Sequence, residues 1–411
     1  MVGGKEMKKA AWILPVFIEG SGGHRTIFQN VQYLAEHGFE CSVYVEDKGQ
    51  AKNSEELEKL VNKYFGKHTC KYYLGYELQE EYDIIFATAW YTAKIVRDYP
   101  SKAKKAYFIQ DFEALFNPMG DGYLMACNSY CYGLHPITIG RWLSNKMDTE
   151  YHTPSQYFDF CADKKIYRNL KMEREKAICF IYQPDKPRRC SQLGIEALGI
   201  VKHLRPDVKI YLYGSDIKGH VWFEHENLKI IPIDKCNELY NRCSVGLCIS
   251  SSNPSRIPFE MMAAGLPVVD LYMDNNLYDM PDGGVCLAHY TPESIAQALI
   301  DILDNKEKAK KMSECGQKYM EHKSLEYGFE QFYQAVEKIL SNMELMHDPI
   351  EKVYNKEPIM ADSVAKMLPK GDYSEENYSI QDDSFIGKLK RNRFIRNNKL
   401  VRKIYFKLRG L

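Results

Sequence analysis

The sequence of 411 residues lacks any apolar run long enough to cross a bilayer. The longest such run covers nine residues, from Ala10 to Ile18, whereas a spanning helix needs about 20. Three lysines precede the run, as in a secretory signal, but Glu19 follows at once and no small-residue cleavage site is present. We therefore predict that the run forms the first buried strand of a globular protein.

The sequence also lacks the ligand spacings of a metal site. Its 12 cysteines are spread from Cys41 to Cys315, without a repeated C-x2-C pair and without a Cys/His pair at zinc-ligand spacing. Several of them, such as Cys179 and Cys248, stand in apolar stretches, as small buried hydrophobic residues do. This pattern predicts free thiols in a reducing compartment and no bound metal.

Neither sign of charge is in excess, because 55 basic residues balance 55 acidic ones. The balance is uneven along the chain: residues 384–411 hold ten basic residues and no acidic one, which leaves residues 1–383 with a net charge of −10. An acidic body argues against nucleic acid as a partner. Apolar residues between the basic ones predict a segment that lies on an anionic membrane surface, with a solvated tail as the alternative.

Alternating apolar and amphipathic segments predict two α/β domains, each with a doubly wound parallel sheet. A strand, a glycine loop, a helix and a second strand open the chain, and the same alternation restarts near residue 176. The predicted strands lie at 11–17, 41–45, 83–88, 105–109, 136–139, 176–182, 209–213, 245–249 and 267–271, and the predicted helices at 25–37, 191–204, 258–264, 292–305 and 324–343. We predict domains over 1–165 and 166–345, a linker over 346–383 and a basic amphipathic tail over 384–411.

A glycine-rich turn precedes the first predicted helix. Gly22 and Gly23 there let the backbone approach a ligand, and the helix N-terminus favours an anionic group. A plain tight turn is the alternative, since neither a full G-x-G-x-x-G pattern nor a Walker lysine is present. His24 directly follows and is a candidate contact for a donor or an acceptor substrate.

A second candidate site lies at the predicted strand ends of the second half. The loop Asn253–Ile257 can point backbone N–H groups at phosphate oxygens, and Glu260 can accept hydrogen bonds from a sugar diol. The alternative for Glu260 is that it only complements the helix N-terminus.

Two further features follow strands of the second half. Arg188 and Arg189 follow the strand at 176–182 and suit a diphosphate, with a solvated turn as the alternative. Gly214 ends the strand at 209–213, beside the expected nucleotide pocket.

The segment PFEMMAAGLPVV at 258–269 resembles the signature of the GT-B glycosyltransferases of family 4. The segments AYFIQDFEALF at 106–116 and TIGRWL at 138–143 are similar to those of the rhamnosyltransferases that build bacterial surface and S-layer glycans. The resemblance covers about residues 10–340. It implies two Rossmann-like domains that face an interdomain cleft, and a metal-independent transfer with retention of configuration.

The resemblance also implies roles for single residues. Glu260 matches the second glutamate of the family's E-x7-E motif, which holds the donor ribose. The other matched positions are the diphosphate loop at Ser255, Arg256 and Ile257, the basic clamp at Arg188 or Arg189, and the glycine loop at Gly22 and Gly23.

Two positions depart from the family pattern. Ser252 stands where the first glutamate is expected near the donor hexose, which suggests a different donor such as a deoxysugar, and Gln110 stands in place of a histidine. Asp111 and Glu113 beside it are candidates for acceptor orientation or proton transfer, together with His24. The alternative for both carboxylates is a turn cap at a strand end.

The sequence thus predicts a cytoplasmic glycosyltransferase, peripheral on the inner face of the membrane. Its expected donor is dTDP-rhamnose, and its expected acceptor is a growing, lipid-linked surface polysaccharide; no cofactor is expected. One alternative is a non-catalytic scaffold that binds a sugar nucleotide in a glycan assembly complex. A second is an NAD-dependent oxidoreductase, which would need a fuller dinucleotide fingerprint.

Overall fold

The computed structural model describes residues 7–217, 219–343 and 349–361, so the predicted tail at 384–411 lies outside the described residues. These residues form two parallel sheets of seven and six strands. No helix among them is both long and apolar enough to span a membrane. The two predicted doubly wound domains are confirmed.

The first sheet has the strand order β3-β2-β1-β4-β5-β6-β7, with every neighbouring pair parallel. Its strands are β1 (Lys8–Leu14), β2 (Phe39–Val45), β3 (Lys71–Leu74), β4 (Ile84–Ala87), β5 (Lys104–Ile109), β6 (His135–Ile139) and β7 (Gln156–Phe158). The helices are α1 (Gly22–Glu36), α2 (Ser54–Phe65), α3 (Trp90–Asp98), α4 (Asp121–Ser129) and α5 (Arg141–Glu150).

The second sheet repeats the arrangement, with the order β10-β9-β8-β11-β12-β13. Its strands are β8 (Ala177–Ile181), β9 (Lys209–Tyr213), β10 (Glu226–Asn227), β11 (Val245–Leu247), β12 (Val268–Leu271) and β13 (Val285–Ala288). The helices are α6 (Ser191–Leu204), α7 (Ile233–Arg242), α8 (Ile257–Ala263), α9 (Asp274–Leu277), α10 (Pro292–Asp304), α11 (Lys306–Tyr319) and α12 (Leu325–Leu340).

Helix α12 follows the second sheet in sequence but packs on the first. Its Phe332 is fully buried, with ring centroids 5.3 Å from Phe108 and 5.8 Å from Trp12. Lys8 of β1 and Glu337 form an ion pair of 2.6 Å beside this contact. The chain therefore crosses between the domains twice, first before β8 and again before α12.

Residues 349–361, within the predicted linker, lie as an extended strap on the second domain. Ile359 bridges Ala288 at the edge strand β13, and the backbone N–H of Ile359 donates to the Leu287 carbonyl at 3.0 Å. The buried Tyr354 hydroxyl accepts from the Leu287 N–H, also at 3.0 Å. The strap thereby covers an edge that would otherwise expose unpaired backbone groups.

Candidate active site

The carboxyl ends of the two sheets meet across a contact between the domains. Asn253 lies in the loop between β11 and α8, and its Nδ2 donates to the carbonyls of Gln110 at 3.0 Å and Ile139 at 3.4 Å, where β5 and β6 end. Arg256 at the start of α8 donates to Gln29 Oε1 of α1 at 3.1 Å. Ligands of doubly wound sheets bind at this edge, so the region is the candidate site.

The predicted glycine loop forms the first turn of α1. The helix begins at Gly22, three residues earlier than predicted, because Ser21 caps it by accepting from the His24 N–H at 3.4 Å. Gln110 Nε2 donates to the Gly23 carbonyl at 3.3 Å, and a Cβ on Gly23 would lie 3.5 Å from that nitrogen. This is an ordinary van der Waals distance, so a side chain as small as that of alanine would fit at Gly23.

His24 is buried among aromatic rings rather than presented to solvent. Its ring centroid lies 5.5 Å from Phe17 and 5.8 Å from Phe65. Burial lowers the pKa of His24 to about 4, and the Pro15 backbone opposes the shift only in part. The ring is therefore neutral near pH 7 and offers hydrogen-bonding nitrogens but no positive charge.

Asp111 follows β5 and faces the second domain. Its Oδ2 lies 3.8 Å from Arg188 Nε, and the Ser252 hydroxyl donates to the carboxylate. Burial raises the pKa of Asp111 to about 6, although Arg188 and Ser252 both favour the ionised form. The carboxylate is thus held in a contact between the domains, with Ser252 on the side of the second domain.

Glu113 begins a short 3-10 helix, Glu113–Phe116, and caps another helix. Its Oε2 accepts from the backbone N–H of Trp90, the first residue of α3, at 2.6 Å. Burial raises the pKa of Glu113 to about 8, with a further rise from the nearby Asp111. The carboxyl acts as a cap, as in the alternative given for it above, and it lies close to the cleft. Its catalytic role stays a prediction.

Arg188 and Arg189 lie on a 3-10 helix, Pro187–Arg189, after β8. The Arg188 guanidinium lies over the Phe116 ring at 4.5 Å, and the Arg188 carbonyl accepts from the Ser251 hydroxyl at 2.8 Å. Among the described residues, the Nε atoms of both arginines are buried without a hydrogen-bond partner. Burial and the Arg188 charge lower the pKa of Arg189. Positive charge with unused donors is what an anionic ligand requires.

Glu260 stands on α8 beside the candidate diphosphate loop. The Tyr167 hydroxyl is hydrogen-bonded to it, and the charges of Arg256 and Arg25 stabilise its ionised form. Burial outweighs these contacts and raises the pKa of Glu260 to about 7. Ser255 and Ile257 flank Arg256, whose Nε is also buried and without a partner within the described part of the chain.

Gly214 lies at the carboxyl end of β9, next to β8. Its φ of 101° disfavours any side chain, and a Cβ there would lie 3.0 Å from Ile181. Its N–H donates to the Lys229 carbonyl at 2.7 Å, and its carbonyl accepts from Gln183 Nε2 at 3.3 Å. The structure places Gly214 at the predicted edge, in a turn whose positive φ glycine adopts without strain.

The pattern of the sequence did not predict three side chains that hold this site together. They are Asn253, whose amide joins the domains, Tyr167, which contacts Glu260, and Asp279, which binds α5. Each contacts residues far away in the chain, so no local spacing marks it. The sequence carries one indirect sign of the Asp279 contact. Helix α5 begins after Gly140, which has no capping side chain, so a cap for this helix has to come from elsewhere in the chain.

Comparison with known proteins agrees with this architecture. A family model described as "WsaF, C-terminal domain" matches residues 176–300. The O-antigen biosynthesis protein RfbC of Myxococcus xanthus is 26% identical over 322 residues, which are 73% of this chain and 24% of that protein. The chain thus spans about a quarter of the length of this relative.

Solved structures share the fold at low sequence identity. A crystal structure of TarM superposes with a TM-score of 0.64 at 10% identity, over 81% of this chain and 99% of that chain. HepE of Anabaena, solved in complex with UDP-glucose, superposes with a TM-score of 0.60 at 12% identity, over 81% of this chain and 100% of that chain. The chain has the GT-B fold of these glycosyltransferase structures.

Proposed function

We propose that this protein is a glycosyltransferase that moves a sugar from a nucleoside diphosphate to a growing cell-surface glycan. The observation that carries the proposal is the set of buried Nε atoms of Arg188, Arg189 and Arg256 at the cleft, none of which has a hydrogen-bond partner among the described residues. Guanidinium groups match the paired oxygens of a diphosphate and can stabilise it as it leaves, without a metal ion. The match to the O-antigen biosynthesis protein supports a surface glycan as the product.

The proposed donor is dTDP-L-rhamnose. Glu260 accepts a hydrogen bond from the 3′-hydroxyl of the deoxyribose, Gly214 lies beside the nucleotide, and the loop of Ser255 to Ile257 faces the diphosphate. Ser252 supports a deoxysugar, because a serine replaces the carboxylate that the family resemblance places near a hexose. Gly22 and Gly23 lie at the phosphate side of the cleft.

The proposed reaction retains the anomeric configuration. The acceptor hydroxyl oxygen bonds to the anomeric carbon on the same face from which the diphosphate leaves, as the bond from that carbon to the diphosphate breaks, and the hydroxyl proton passes to a base. We assign Asp111 to this proton, since a carboxyl with a pKa of about 6 is mostly ionised at neutral pH. Glu113 and His24 orient the acceptor. NMR of the product's anomeric centre tests retention.

The proposed acceptor is a lipid-linked glycan, which places the enzyme on the inner face of the cytoplasmic membrane. Residues 384–411, outside the described residues, would provide the contact with anionic lipid through their ten basic side chains.

Isothermal titration tests the donor. Wild-type protein would be titrated with dTDP-rhamnose, dTDP-glucose, UDP-glucose, UDP-galactose, GDP-mannose and GDP-fucose. We expect selective binding of dTDP-rhamnose, and a loss of at least tenfold in affinity in Arg189→Ala and in Glu260→Ala. Arg205→Ala, which removes a surface ion pair with Asp304 and a hydrogen bond to the Leu204 carbonyl, is the matched control and should bind normally. Binding of a UDP- or GDP-sugar instead would contradict the rhamnosyl assignment.

A second candidate function is a non-catalytic scaffold that binds a sugar nucleotide. Ser252 and Gln110 favour it, since both are uncharged at positions where the family resemblance has a glutamate and a histidine. Turnover of a bound donor, measured as release of free nucleoside diphosphate, separates the enzyme from the scaffold.

A further inference from the structure

The side-chain amide of Asn253 has a fixed orientation. Only 4% of the residue is exposed, and its Nδ2 donates to two backbone carbonyls, those of Gln110 and Ile139. Carbonyl oxygens can only accept hydrogen bonds, so the NH2 group must face them and the amide cannot be reversed. Oδ1 therefore points away from these strand ends.

This Oδ1 is buried and has no hydrogen-bond partner among the described residues. Buried polar atoms in native proteins are almost always paired, so an unpaired acceptor at a cleft indicates that a ligand supplies the donor. The arginine Nε atoms of the same cleft, at Arg188, Arg189 and Arg256, are donors without a hydrogen-bond partner in the part of the chain that the structure describes. A ligand that satisfies both kinds of atom carries acceptors, such as anionic oxygens, and also a donor hydrogen, such as that of a hydroxyl group.

A nucleoside diphosphate supplies the anionic oxygens, and the attached sugar supplies hydroxyl groups. We propose that Asn253 Oδ1 accepts a hydrogen bond from a hydroxyl of the transferred sugar, which makes Asn253 a specificity-determining residue. This inference rests on the proposed function. Because the same amide holds the ends of β5 and β6, sugar recognition is joined directly to the contact between the domains.

The test compares two ligands in wild-type protein and in Asn253→Ala. The loss of affinity for dTDP in the variant reports only the lost contact between the domains, since dTDP has no sugar hydroxyl beyond its own deoxyribose. The loss of affinity for dTDP-rhamnose should be about tenfold greater than that for dTDP, as expected for one further hydrogen bond. The matched control is Asn128→Ala on the exposed face of α4, which should bind both ligands normally.

Donors that lack one sugar hydroxyl test the same contact without changing the protein. The analogue that lacks the contacted hydroxyl should bind wild-type protein about tenfold more weakly than dTDP-rhamnose does. In Asn253→Ala, this analogue and dTDP-rhamnose should bind with equal affinity. Equal losses for dTDP and dTDP-rhamnose, or no loss for either, would overturn the inference and leave the proposed function standing. If the wild-type protein bound none of these ligands, both would fail.

Discussion

The pKa of Glu260 depends both on its position in a helix and on its burial. The residue lies one turn into α8, where the peptide dipoles favour an anion, yet burial raises its pKa to about 7. An ionised carboxylate accepts a hydrogen bond from the deoxyribose hydroxyl with either oxygen, whereas a protonated one carries a hydrogen on one of its two oxygens. Its protonation state therefore affects ligand binding close to neutral pH.

We expect donor affinity to increase from pH 6 to pH 8 as Glu260 loses its proton. Titration of the donor at pH 6, 7 and 8 measures this effect in wild-type protein. Glu260→Gln should bind more weakly at pH 8 and lose this part of the pH dependence, because an amide does not titrate. An unchanged slope in Glu260→Gln would assign the pH dependence to another group, such as Asp111.

For single residues, the sequence predicted the location of those that follow a strand. Arg188, Gly214 and Glu260 come soon after predicted strands, and parallel strands bring such residues to one edge. The sequence did not predict which side chains are buried or which residues they contact. His24 stood beside a glycine loop as a polar candidate, but its surroundings of Phe17 and Phe65 come from separate elements.

Among the elements, α5 depends on the other domain for its N-terminal cap. It begins after Gly140, which has no capping side chain, and the Asp279 carboxylate accepts from the N–H groups of Arg141 at 2.9 Å and Trp142 at 3.2 Å. A Cβ at Gly140 would lie 2.4 Å from Phe160, so no larger residue fits. The helix and the second domain are therefore joined through one buried carboxylate.

Asp279→Ala should destabilise the protein by about 1–2 kcal/mol, since two N–H groups at a buried helix start lose their acceptor. Thermal unfolding followed by calorimetry should show a melting temperature lower by a few degrees. Asp279→Asn keeps one acceptor oxygen and should recover part of the loss. Asp234→Ala, at an exposed position in the first turn of α7, is the matched control. Equal stability of Asp279→Ala and wild type would show that this cap is dispensable.

Nine of the thirteen strands in the described residues lie where the sequence predicts them, because buried parallel strands are short apolar runs. The four strands β3, β7, β10 and β13 were not predicted. Strand β9 and helix α6 have the predicted bounds, whereas β1 ends at Leu14, just before Pro15, which has no N–H for the ladder. Helices α2 and α11 were not predicted, although Asn53 and Asn305 cap them. Both expose most of their surface, so their apolar periodicity is weak.

At the scale of the whole molecule, the two domains and the end of the chain have separate tasks in the proposed function. The cleft holds the donor, while the basic segment at 384–411 would bring the cleft to a lipid-linked acceptor. The strap at 349–361 is hydrogen-bonded to β13 and α10. The last described residues therefore lie on the second domain.

Removal of residues 384–411 should abolish co-sedimentation with vesicles that contain phosphatidylserine, because ten positive charges are lost. Binding of the full chain should weaken as salt rises, and vesicles of phosphatidylcholine alone should bind little. Donor affinity, measured in the same preparations, should be unchanged and serves as the control for folding. Co-sedimentation that survives the deletion would refute the proposed membrane contact.

Helix α12 has a further consequence for how the molecule is held together. It comes from the C-terminal half of the chain, yet its Phe332 completes the aromatic core around Trp12 and Phe108. A protease cut between β7 and β8 would therefore not release two independent halves. The fragments would stay associated as a complementing pair, because one carries a piece of the other's interior.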